Sequence, residues 1–98
     1  MKTVQFAAPA SEELAAAIRW YEHRRSGLGV EFYDAIVAAV GLIQEHPEIG
    51  IARGSGDARH ILVRRFPFGI VYRIRPDDLY VVAIAHTSRR PGYWKSRS

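Results

Sequence analysis

The feature that most narrows what this chain can become is an alternating, β-rich stretch running from His60 to Trp94. It holds two apolar runs, Phe68–Ile74 and Leu79–Ala85, separated by Arg75-Pro76-Asp77-Asp78. That spacer is a turn by mechanism: Pro76 presets φ, and aspartate oxygens accept from nearby backbone N–H groups. A third run, Ile61–Val63, precedes Phe66-Pro67-Phe68. Three such runs joined by short turns predict an antiparallel meander. In the middle run Phe68, Ile70, Tyr72 and Ile74 share one face, expected to meet helices, and Gly69, Val71, Arg73 and Arg75 share the other. The last run, Leu79 to His86, is apolar on both faces, as an interior strand is. It belongs centrally, with a short N-terminal strand over residues 2–6 beside it. It then enters a basic, aromatic tail containing Arg89, Arg90, Tyr93 and Trp94.

Upstream the period changes from two to 3.6. Ala10, Leu14, Ala17, Ile18 and Tyr21 line one helical face. Pro9 suits the first turn, and Glu12 and Glu13 suit the positive end of the helix dipole. Trp20 is expected as a flank contact. Ser26-Gly27-Leu28-Gly29 breaks this helix, and a second runs from about Val30 to Glu45, ended by Pro47. Its main stripe is Phe32, Ile36, Ala39, Val40 and Ile43. Tyr33 and Val37 widen that stripe and are expected to pack against the sheet, with a dimer or partner surface as the alternative. Two helices with so short a connection predict an antiparallel hairpin. His46 to Ala58 reads as a loop, and Arg53-Gly-Ser-Gly-Asp57 lacks the spacing of a phosphate-binding loop. The fold class is therefore α+β: N-terminal strand, helix hairpin, three-stranded antiparallel meander and basic tail, in one domain of 98 residues.

Composition excludes several function classes. Without cysteine there is no disulfide framework and no thiolate chemistry. No apolar run approaches the roughly 20 residues of a membrane span, and the start lacks a signal-peptide core. A cytoplasmic protein with no membrane partner is expected. The histidines at 23, 46, 60 and 86 lack metal-ligand spacing, so no metal and no cofactor is expected. Charge is uneven: residues 1–50 carry four basic and seven acidic side chains, and residues 51–98 carry ten and three. The sheet half is thus +7, and twelve of the fourteen cations are arginine, whose fork suits phosphate or carboxylate.

The order and spacing of several pieces resemble the RelE/ParE superfamily of type II toxin–antitoxin toxins. These pieces are Glu13-Leu14, Trp20-Tyr21-Glu22, Gly29-Val30-Glu31-Phe32, His46-Pro47, Arg59, Val63 to Pro67, Ile70 to Arg73, Ala83 to His86 and Arg89 to Trp94. The pattern fits the ParE-like, "plasmid stabilisation" branch best. The resemblance implies a small cytoplasmic toxin neutralised by a cognate antitoxin, and allows homo-oligomers within that complex. It also implies one of two targets: DNA gyrase, poisoned by binding, or the ribosome, where mRNA is cleaved.

Metal-free RNA cleavage needs a base, an acid and cations around the phosphate. The candidates for that chemistry are His86, Arg59, Arg73, Arg89 and Tyr93. Each has a structural alternative: a histidine at a strand end is commonly a hydrogen-bonding residue, and Tyr93 and Trp94 suit packing of the tail. Arg64, Arg65, Arg73, Arg75, Arg89, Arg90 and Trp94 are the expected contacts to target or antitoxin. With one acid–base residue, His86, and no lysine between Lys2 and Lys95, gyrase inhibition is the favoured reading. An inactive, antitoxin-binding relative is the remaining alternative.

Overall fold

The computed structural model describes residues 2–52 and 57–97. Strand β1 (Thr3–Phe6) leads into helix α1 (Ala8–Arg24) and helix α2 (Leu28–Glu45). A 3-10 turn (Pro47–Ile49) and strand β2 (Ile51–Ala52) follow, then β3 (Ala58–Leu62), β4 (Phe68–Ile74) and β5 (Asp78–His86). The sheet order is β1-β5-β4-β3-β2. β1 runs parallel to β5, and every other pairing is antiparallel. The meander and the interior place of the last strand beside the first are as the alternation implied. β5 lies one strand off the middle, because β2 adds a fifth strand.

The helix hairpin is locked from inside its own turn. Gly27 takes φ of +90° as the residue before α2, and the Glu22 carboxylate accepts from the backbone N–H groups of Gly27 and Gly29. Those donors have no partner within the helix, so one α1 side chain caps α2. A methyl group at Gly29 would lie 2.8 Å from the Ile18 carbonyl oxygen. Gly29→Ala is expected to force the helices apart at a cost of about 1–3 kcal/mol. Urea unfolding would measure it, and an unchanged midpoint would mean the crossing is not tight.

Between hairpin and sheet, Phe32, Ile36, Ile43, Ile70, Tyr72, Leu79 and Val81 are almost fully buried. Tyr21, Phe32, Phe66 and Phe68 add a cluster of rings with centroids about 5 Å apart. Two expectations fail. Tyr33 and Val37 do not reach the sheet: they are 48% and 50% exposed, with Val30 at 62% beside them. At 100° per residue they stand about 100° and 140° round α2 from Phe32, beyond the arc the sheet covers. The stretch from His46 to Ala58 is not simply a loop. The Tyr72 hydroxyl donates to the Pro47 carbonyl and accepts from the Gly50 N–H, and Arg59 grips the carbonyls of Glu48 and Gly50. These bonds order the 3-10 turn and β2. The part containing Gly54 and Gly56 lies outside the described residues.

Candidate target-binding site

The second face of the sheet is covered by the tail. Trp94, 8% exposed, packs with Ala58, Val71, Val82, Ala83 and Ala85, which explains why β5 is apolar on both sides. One residue of β5 has no partner on β4: Val71 faces Ala83 and Tyr72 faces Val81, so Val82 forms a bulge. β1 stops opposite Val81, leaving the rest of β5 without a strand on that side. Two charged side chains take its place. Glu13 of α1 accepts the Ile84 N–H at 3.0 Å, and Arg97 of the tail donates to the Val82 carbonyl at 3.1 Å.

Those two residues also clasp each other. Arg97 gives Glu13 two hydrogen bonds of 2.9 and 3.0 Å, and the Tyr93 hydroxyl gives a third of 2.7 Å. The side chains of Arg97 and Glu13 are only 18% and 16% exposed. Burial alone would raise the Glu13 pKa, but the bonds from Arg97, Tyr93 and the Ile84 N–H outweigh it and hold the carboxyl below its ordinary 4.5. Burial, and then Glu13, push the Tyr93 hydroxyl up to about 12. Arg89 stacks on the outer face of Tyr93, 3.9 Å from the ring centre. Glu13 was legible only as a helix-dipole residue. Its partners lie 71 to 84 positions away, a separation no local pattern encodes.

The arginines expected at the site divide by charge partner. Arg65 pairs with Glu31, Arg73 with Asp57 and Arg75 with Asp78, all within 3.0 Å. Arg64, Arg89 and Arg90 have no carboxylate partner among the described residues, nor has Lys95. Arg64 and Arg65 stand in the β3–β4 turn, which meets the end of β5 through the Thr87 N–H bond to the Pro67 carbonyl. The unpaired cations therefore gather at one end of the sheet. Arg75, in the β4–β5 turn, is at the other.

Of the five residues considered for RNA cleavage, His86, Arg89 and Tyr93 line one cleft beside the tail, and Arg59 and Arg73 do not reach it. Phe68 pairs with His86, and Arg73 is five positions further along β4, about 17 Å away at strand rise. Arg59 is committed to backbone carbonyls beside β2. His86 sits at the end of β5 with its ring edge on Phe68, and its Nδ1 accepts from the Ser88 N–H at 3.0 Å. Arg89 touches both of its cleft neighbours: its guanidinium stacks on Tyr93, and its backbone N–H donates to the His86 carbonyl at 3.0 Å. Among the described residues no cluster of His, Asp or Glu could hold a metal, and no helix is long and apolar enough to cross a membrane.

A helix hairpin thus lies on one face of a mixed sheet, and a basic tail is clasped across the other. The family model for the ParE toxin of the type II toxin-antitoxin system, parDE, matches residues 4–91. The chain belongs to that family. Among solved structures it is similar to a chain of the chromosomal ParDE TA system from P. aeruginosa, with a TM-score of 0.75 at 18% identity over 88% of this chain and 96% of that one. At that identity the likeness is one of fold. A search of the curated proteins finds no match.

Proposed function

We propose that this chain arrests growth by binding and poisoning DNA gyrase, and that an acidic cognate antitoxin neutralises it in the cytoplasm. The observation that carries the choice of target is that the acid–base set around His86 is incomplete. Arg59 and Arg73 are held far from His86, and the Tyr93 hydroxyl is engaged by Glu13 with its pKa at about 12. A positioned acid or base is worth roughly 10²–10⁴ in rate, and the two residues that share a cleft with His86 are Arg89 and a Tyr93 already engaged by Glu13. A binding toxin needs only a surface, and Arg64, Arg89, Arg90 and Lys95 supply an uncompensated one.

The test is purified protein against two substrates. Gyrase supercoiling should be inhibited, and ribosome-bound mRNA should stay intact. His86→Gln should leave gyrase inhibition within about threefold, whereas a nuclease built on His86 would lose most of its rate. Codon-specific cuts with normal supercoiling would replace this reading with the ribonuclease one. Growth arrest on expression alone should be relieved by the adjacent small gene.

The antitoxin has a second support in α2. Val30, Tyr33 and Val37 stand at i, i+3 and i+7, an exposed apolar stripe that matches an amphipathic partner helix. Val37→Asp is expected to weaken antitoxin binding by at least about tenfold while leaving the melting temperature unchanged, because the side chain is half exposed. Equal titration curves for both chains would remove the stripe from the interface.

A further inference from the structure

Between the tail and the free face of β3, β4 and β5 lies an open cleft of about 450 Å³. Its floor is Leu62, Val71 and Ala85, and the aromatic rings of His60, Tyr93 and Trp94 line it. Gly69 shapes the floor: a methyl group there would collide with the His60 ring, so the absence of a side chain lets the imidazole lie across β4. Around the rim stand Arg89, Arg90 and Lys95, and no carboxylate lines the cleft. Arg90 and Lys95 form no ion pair among the described residues. The four carboxylates that the described cations do engage, Glu13, Glu31, Asp57 and Asp78, lie elsewhere, so the cleft keeps its positive field.

From this juxtaposition of aromatic walls, a small-residue floor and an uncompensated cationic rim, we propose that the cleft is a nucleotide-binding site. The base lies on the apolar floor between the ring-lined walls, and the phosphate is held by the forks of Arg89 and Arg90 with Lys95. Every base has a π-face, so stacking of this kind is tolerant of sequence, and arginine forks match phosphate oxygens in pairs. The volume falls in the range of small-ligand clefts, and the open side admits either a free 5′-mononucleotide or one residue of a single strand. An acidic peptide satisfies the rim but leaves the aromatic walls without a matching ring. The site goes beyond gyrase binding and does not require it.

Amide chemical shifts of the full chain, followed while AMP, adenosine, inorganic phosphate, a glutamate-rich peptide or an oligothymidylate is added, test this. AMP or the oligonucleotide should shift residues 60, 69, 85, 89, 90 and 92–95, and AMP should bind at least about tenfold tighter than adenosine or phosphate alone. A preference for AMP assigns the site to free nucleotide, and a preference for the oligonucleotide assigns it to a single strand. Arg90→Ala with Lys95→Ala removes two exposed, unpaired side chains, so the fold should persist while affinity falls about tenfold. No shifts with either ligand would overturn the proposal. So would the peptide displacing AMP at equal affinity, or shifts spread equally over Lys2 and Arg64 and unchanged in the double variant. A chain that inhibits gyrase but binds no nucleotide loses only this site. One that binds nucleotide and spares gyrase loses only the target reading.

Discussion

Glu13→Ala is expected to destabilise the chain by about 3 kcal/mol, the loss typical of a mostly buried ion pair stripped of one partner. The substitution leaves Arg97 without its carboxylate and the Ile84 N–H without an acceptor, and it frees the Tyr93 hydroxyl. Denaturant unfolding of Glu13→Ala, Arg97→Ala and the pair forms a cycle. A coupling energy above about 1 kcal/mol is expected, because the two residues bond each other bidentately. Purely additive losses would mean that the clasp is not a unit. Its pH dependence has a definite sign. The folded pKa of Glu13 lies below 4.5, so its stabilisation is fully present above that value and is lost as pH falls through the lowered one. Tyr93 acts at the other end: its folded pKa is raised from 10.0 to about 12, so its contribution is present below pH 10 and is lost as pH climbs towards 12. Glu13→Gln should flatten the acid limb and, by removing the Glu13 contribution to the raised Tyr93 pKa, shrink the alkaline one as well.

Trp94→Ala is expected to cost about 3–5 kcal/mol and to abolish gyrase inhibition, and the two losses share one cause. The indole is the largest side chain over Val71, Ala83 and Ala85, and removing it opens a cavity under the tail. Arg89→Ala serves as the contrast. Arg89 is exposed and meets Tyr93 only by stacking, so its removal should cost about 0.5–1 kcal/mol. Inhibition should nevertheless fall at least about tenfold if Arg89 touches the target. Hydrogen exchange separates the two effects. Trp94→Ala should speed exchange at the Ala83 and Ala85 amides, and Arg89→Ala should not. Faster exchange in both chains would reduce Arg89 to a structural role.

Much of this protein was legible from neighbour spacing. The 3.6-residue period placed Phe32, Ile36, Ala39 and Ile43 in the core. The alternation in Phe68–Ile74 placed its apolar face under the helices, and the two-sided apolarity of Leu79–His86 placed that strand inside the sheet. These patterns are local: a helix or strand turns its own side chains to known faces whatever lies opposite. Where each face stops being covered is not local. Tyr33 and Val37 extended an apolar stripe correctly, yet the sheet underlies only part of the arc, and both are left in solvent. The arginines show the same limit. Their number and concentration in the second half are sequence facts, but Glu31 and Asp57 neutralise Arg65 and Arg73 only because distant segments meet in space, whereas Asp78 pairs with Arg75 three positions away. Glu13 is the clearest case. The sequence offers it a place near the helix dipole, yet α1 begins at Ala8 and leaves Glu13 beyond the first turn, and nothing near it foretells Tyr93, Ile84 or Arg97. β1 is short and β5 is long, so the uncovered part of β5 needs an acceptor for one N–H and a donor for one carbonyl. Only the packing of α1 beside β5 and the return of the tail bring a carboxylate and a guanidinium to that gap.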